Sequence, residues 1–197
     1  MTTTPAATAA PDTRTRILDL AEQLLLARGF NAFSYQHIAK ELGVKPAAVH
    51  YHYPGKEDLG AAIIQRQRGR LRKWRGLPRL TELPPAAQLE SLFDVYRTHL
   101  RQEQRVCLFG ALAAEFRTLP AAMQRELRLF NQELTEWLAE VLAAGRAAGT
   151  LVFRGEPLAK AAQVLTTLAG ALQVARVHDE RQFHVVFEQL RSELLPE

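Results

Sequence analysis

The chain has 197 residues, of which 47% are hydrophobic, 23% charged and 8% aromatic. That balance excludes both a disordered chain and a small scaffold that needs disulfides or metal to fold. One cysteine, Cys107, rules out an intrachain disulfide and a multi-cysteine metal site, and fits a reducing cytosol. The net charge of +4 is unevenly spread: residues 1–79 carry 13 basic and 6 acidic side chains, net +7, and residues 80–197 carry 12 and 15, net −3. The charge alone permits a nucleic-acid partner without proving one, and its asymmetry is a first functional clue.

Residues 1–11 are Thr, Ala and Pro without charge or periodicity before Asp12 and predict a loose tail. The tail has no basic stretch leading into an apolar run, so it does not read as a signal peptide. Ile17, Leu20, Ala21, Leu24 and Leu25 form one apolar stripe of a first helix that Gly29 stops. Ser34 caps a second helix of about eight residues that ends at Gly43. A third spans Lys45 to Tyr53, opened by Pro46 and closed by Pro54-Gly55. A longer helix follows from Lys56 toward Gly76, and further helices are expected over about 85–103, 105–117, 120–148, 156–177 and 180–194. The least charged stretch, residues 161–175, is too short and too polar to cross a bilayer, so no membrane partner is expected. The fold class is all-α: an N-terminal three-helix helix-turn-helix domain followed by a C-terminal helical bundle for ligand binding and dimerisation.

Ala39, Gly43 and Val49 have helix-turn-helix spacing, a small residue at the helix contact, a glycine in the turn and an apolar anchor in the second helix. The run TRILDLAEQLLLARGFNAFSYQHIAKELGVKPAAVHYHYPGKEDL, residues 15–59, closely resembles the DNA-binding domain of the TetR family of transcriptional regulators. The resemblance implies a homodimer that represses a promoter by binding an operator and lets go when a small molecule binds the C-terminal domain. It divides the chain into the tail 1–11, a DNA-binding domain 12–56, and a ligand-binding and dimerisation domain 57–197.

Within the DNA-binding segment, Ser34 and Tyr35 stand at a helix N-terminus that favours a phosphate. Lys45, His52 and Lys56 are expected on phosphates, and Gln36 matches a position that the family uses at base edges. Ala47, Ala48, His50 and Tyr51 occupy the exposed part of the recognition helix. Lys45 and His50 stand where the family commonly has Ser and Tyr, which changes the target sequence more than the DNA binding. His50 and His52, two apart on a helix, do not face each other, so neither a metal nor a cofactor is expected. The arginines from Arg66 to Arg79 read as a solvated face, with a backbone clamp or an acidic-ligand gate as the alternative.

In the C-terminal half, Tyr96, His99, Cys107, Phe109, Phe116, Phe130, Asn131 and Trp137 are candidates for an effector pocket, each with plain core packing as the alternative. The stretch from Cys107 to Glu115, with the later Trp137 and Gly145 to Gly149, resembles a NemR- and AcuR-like subset of TetR regulators. Those members respond to electrophilic or unsaturated compounds, and in NemR-like members a cysteine at this place is the reactive group. Val106 and Ala111 depart from that subset's pattern. If Cys107 opens a helix, the dipole would favour its thiolate; the alternative is a buried, inert thiol. A stripe of Leu158, Ala161, Leu165, Leu168 and Leu172, with Phe183, Val186, Phe187 and Leu190 of the last helix, is expected to form the dimer interface.

The expected partners are a double-stranded operator, a second copy of the chain, and a small apolar or electrophilic effector. The alternatives are a repressor released by modification of Cys107 and an effector-free DNA-binding protein. An enzyme is not expected: the sequence contains no glycine-rich phosphate loop, HExxH or nucleophile elbow.

Overall fold

The structure, a computed structural model, describes residues 12–101 and 106–195. The expected tail 1–11, the helix ends expected at 103 and 105, and the last two residues lie outside that range. Among the described residues there are ten α-helices and one short 3-10 turn, with no strand, so the fold is all-α as expected.

The head is built from α1 (Thr13–Arg28), α2 (Tyr35–Leu42) and α3 (Pro46–His52). Asp12 caps α1 by accepting from the Thr15 N–H at 2.7 Å, one of the orphan donors of a first turn. Ser34 caps α2 by accepting from the His37 N–H, while Nδ1 of His37 accepts from the Ser34 N–H, a capping box closed by histidine instead of Glu or Gln. Gly43 turns the chain between α2 and α3 at φ 66°, a left-handed conformation that disfavours any residue with a Cβ.

α4 (Lys56–Arg75) leaves the head, and the single turn α5 (Pro78–Thr81) leads into α6 (Pro85–Arg101). One helix was expected over 105–117; the chain instead makes a short α7 (Leu108–Ala113) and a 3-10 turn at Phe116–Thr118. The break falls at Glu115, whose backbone leaves helical geometry (φ −93°, ψ 1°) and whose carboxylate accepts from the N–H and side-chain amide of Asn31, both at 3.0 Å. Three long helices complete the bundle: α8 (Ala121–Ala147), α9 (Pro157–Val177) and α10 (Glu180–Leu194), the last capped by Asp179.

Two apolar cores result. The first gathers Ile17, Leu25, Phe30, Ile38 and Val49 of the head with Leu59, Ile63 and Ile64 of α4, and it also takes in Leu108, Leu112, Met123 and Leu127 from α7 and α8. The second is built from α6, α8, α9 and α10 around Phe93, Leu138, Leu168, Phe183 and Phe187, with the Phe93 and Phe187 rings edge-on at 5.0 Å. Each fully buried side chain of this size contributes about 1.5–3 kcal/mol. Cys107 belongs to the second core and its neighbour Leu108 to the first, so α7 is the seam between them. By length and composition, α9 alone among the described helices could cross a membrane; here its apolar side is a wall of the second core.

Candidate DNA-reading surface and effector cavity

The recognition helix α3 presents Ala47, His50 and Tyr51 outward, with Ala48 half-buried and Tyr51 83% exposed. Lys45 is exposed at the N-cap of α3 and makes no side-chain capping bond, so its ammonium is placed to reach a phosphate. Gln36 is exposed on the first turn of α2. The His50 ring packs on Tyr35 at 4.7 Å, and its Nδ1 lies 3.3 Å from the carbonyl of Pro54. A carbonyl only accepts, so Nδ1 carries the proton and Nε2 of neutral His50 is an acceptor. His52 packs edge-on against Tyr51 at 5.1 Å, so the two histidines have separate partners.

Two of the expected DNA contacts are otherwise engaged. Tyr35 is buried and its hydroxyl donates to the Tyr53 carbonyl at 2.8 Å; burial, with the Asp58 charge, pushes its pKa up to about 12. Lys56 turns inward, donating to the Phe30 carbonyl at 2.6 Å with its ammonium over the rings of Phe30 (4.4 Å) and Phe33 (4.6 Å). Desolvation lowers its pKa. Both side chains brace the head from behind because an apolar core offers them carbonyl and ring partners that solvent at the groove does not. The Ser34 hydroxyl accepts in the cap and keeps its own proton to donate.

A cavity of about 310 Å³ lies between α1, α4, α6, α7, α8 and α9. Of the expected pocket residues, Tyr96, His99, Cys107, Phe109, Phe130 and Asn131 line it. Phe116 does not: it packs against the first core with Arg128 over its ring at 4.8 Å. Trp137 does not either, because Trp74 stands in front of it, edge-on at 5.0 Å, and itself forms the wall. Leu26, Gln67, Arg70, Leu71, Leu134, Thr135, Leu165 and Thr166 are also in the lining.

Cys107 is the N-cap of α7, and its Sγ accepts from the Gly110 N–H at 3.4 Å. Burial outweighs that bond and raises the thiol pKa, so the expected dipole-favoured thiolate gives way to a protonated thiol. Tyr96, fully enclosed, has its phenol pushed well up by burial and by neighbouring Cys107.

Four arginines of the run are ion-paired within the protomer, while Lys73 and Arg79 are exposed. Arg66 pairs with Asp19 (2.6 Å) and Glu22, and also donates to the Leu18 carbonyl; Arg70 pairs with Glu22 at 2.6 Å. On the other side of α4, Arg68 pairs with Glu126 and with Glu133 (2.5 Å), and Arg72 with Glu133 at 2.7 Å. Arg72 and Arg68 hold the Glu133 carboxyl down at about 2. The basic helix is thus laced to α1 on one flank and to α8 on the other.

Family models match both halves of the chain: the tetR family of bacterial regulatory proteins over residues 17–63, and the tetracyclin repressor-like C-terminal domain over residues 85–189. The chain belongs to the TetR family. It is accordingly a transcriptional regulator with a DNA-binding head. It is similar to the HTH-type transcriptional repressor NemR of Escherichia coli K12, 27% identical over 174 residues that span 84% of this chain and 85% of the relative. Among solved structures it is similar to a TetR transcriptional regulator from Legionella pneumophila (30% identity, TM-score 0.83, covering 95% of this chain and 100% of that one). It is also similar to reduced E. coli NemR (25% identity, TM-score 0.76, covering 93% and 97%).

In this TetR-family regulator the stripe expected at the dimer interface faces inward. Ala161, Leu165, Leu168 and Leu172 of α9, and Phe183, Phe187 and Leu190 of α10, are buried in the protomer's own core, while Val186 is half-buried and Leu158 is exposed. The stripe packs against α8 and between the two helices themselves, which consumes it within one chain. The opposite side of α9 carries Ala159, Gln163, Gly170, Val174 and Val177, and α10 adds Val185; all are exposed, Val177 at 78%.

Proposed function

We propose that this chain is a cytoplasmic repressor that binds a palindromic operator as a homodimer and is released when a small apolar or electrophilic effector fills the cavity. The observation that carries this reading is the double duty of α4. Its first half packs into the head core through Leu59, Ile63 and Ile64, and its second half lines the cavity through Gln67, Arg70, Leu71 and Trp74. One helix thus links occupancy to head position, the kind of element that carries a coupling of about 1–3 kcal/mol. The E. coli relative is a transcriptional repressor, which supports the sign of regulation.

In this reading residues 12–56 read the operator and 57–197 sense and dimerise. Lys45, His52 and the α2 N-terminus at Ser34 hold phosphates, while Gln36, Ala47, Ala48, His50 and Tyr51 meet base edges. Tyr35 and Lys56 keep the surface rigid from behind. The partner docks on the outward side of α9 and α10, where small residues permit close approach, setting two heads about 34–36 Å apart or a multiple of that.

The test is a gel shift with the DNA upstream of the chain's own gene. A specific complex is expected, with about eight phosphate contacts per dimer giving a slope of about −7 in log affinity against log salt. Equal affinity for scrambled DNA would overturn the operator reading in favour of an effector-free DNA-binding protein. For the cavity, Leu134→Trp should abolish release while leaving operator binding intact.

A second reading keeps the operator and uses covalent modification of Cys107, favoured by the thiol's place in the cavity wall. Cys107→Ser then abolishes release by an electrophile. Unchanged release assigns the thiol to packing alone.

A further inference from the structure

The polar groups of the cavity are not distributed evenly, and one pair of them is already engaged by the head. Leu71, Trp74, Phe130, Leu134 and Leu165 make the walls apolar, and among the described lining residues there is no Asp or Glu. Arg70 is the fixed positive charge there. Its Nη1 donates to Oε1 of Glu22 at 2.6 Å, and Nε2 of Gln67, also in the lining, donates to that same oxygen. Glu22 lies on α1 of the head and is only 8% exposed.

We propose that the effector is an apolar carboxylate whose carboxylate group takes Arg70 and Gln67 from Glu22 and thereby loosens α4 from α1. This rests on the reading of the cavity as the effector site. A cavity of about 310 Å³ is at the small end for a ligand site and suits an acid of about six to ten carbon atoms. A guanidinium and an amide N–H₂ converging beside apolar walls recognise a planar, two-oxygen anion. The differential contact that a switch requires is built in, because the ligand and Glu22 compete for the same donors. Once they are lost, a buried carboxylate keeps only the bond from Arg66 to its other oxygen. Leaving it so poorly paired is costly, so α1 moves to recover partners. Leu26, one turn beyond Glu22, also lines the cavity, and the apolar body of the ligand therefore presses on the same helix.

The experiment titrates the full-length protein with straight-chain acids from hexanoate to decanoate and with their matched primary amides, read by tryptophan fluorescence and by calorimetry. At least one acid should bind, and its amide should bind about tenfold more weakly or worse. Arg70→Gln should erase that preference. Glu22→Gln removes the competing charge, so it should tighten the acid severalfold, leave the amide unchanged, and make the acid unable to weaken operator binding. Because Glu22→Gln could unfold the head, its melting temperature is measured alongside, and the acid-against-amide comparison in the unaltered protein decides the matter without it. Equal binding of acid and amide, or binding by none of the acids, overturns the proposal. Leu134→Trp separates this from failure of the cavity reading: amide binding that it blocks leaves the cavity as the site, and binding of either class that it does not block removes it.

Discussion

Tyr35 shows how a side chain in the first turn of α2 braces the head from within. Its hydroxyl satisfies the Tyr53 carbonyl at the end of α3, and its ring carries His50. Tyr35→Phe should cost about 1–2 kcal/mol in urea unfolding, because the carbonyl is left buried without a donor; operator affinity should fall only as far as stability does. Lys45→Ala should behave in the opposite way, leaving the unfolding midpoint in place while weakening binding to all DNA sequences and lowering the salt slope by about 1 per lost phosphate contact. Local chemistry made the head legible: Ser34, Gly43 and Pro46 each act within a few residues of themselves. The inward partners of Tyr35 and Lys56 were not legible for the complementary reason, since the carbonyls of Tyr53 and Phe30 that accept from them lie 18 and 26 residues away.

At the scale of elements, α4 packs closely against α8 and the head. A Cβ on Gly60 would lie 2.4 Å from Sδ of Met123 and 2.8 Å from the Phe30 ring. Gly60→Ala should therefore destabilise the fold by about 1–3 kcal/mol through overpacking, measured by thermal unfolding. Periodicity predicted α8, α9 and α10 to within a residue or two, because it reports which residues share a side. It could not report what each side meets. The stripe from Ala161 to Leu172 was correctly grouped and wrongly assigned, and Trp137 and Phe116 were aromatic without being at the cavity. The arginines of α4 were unreadable on the same ground: their carboxylates stand 44 to 65 residues away in sequence.

For the whole molecule, the flank of α4 that meets α8 makes stability depend on pH. Glu133 has a folded pKa of about 2, below its ordinary 4.5, so its contribution is complete above that ordinary value and is lost as pH falls from about 4.5 toward 2. Glu133→Gln should lower the melting temperature at pH 7, and the gap from the unaltered protein should close as the pH approaches 2. Replacing Val174 and Val177 together by Glu should give a folded monomer in sedimentation and abolish operator binding, since one head alone makes half the contacts. The first core has a consequence for modularity. It borrows Leu108, Leu112, Met123 and Leu127 from the far half of the chain as well as Leu59, Ile63 and Ile64 of α4, so a head excised at residue 56 would carry an open apolar wound where α4, α7 and α8 had been. Grafting another C-terminal half onto this head would therefore succeed only if those α4, α7 and α8 residues travel with the head they complete.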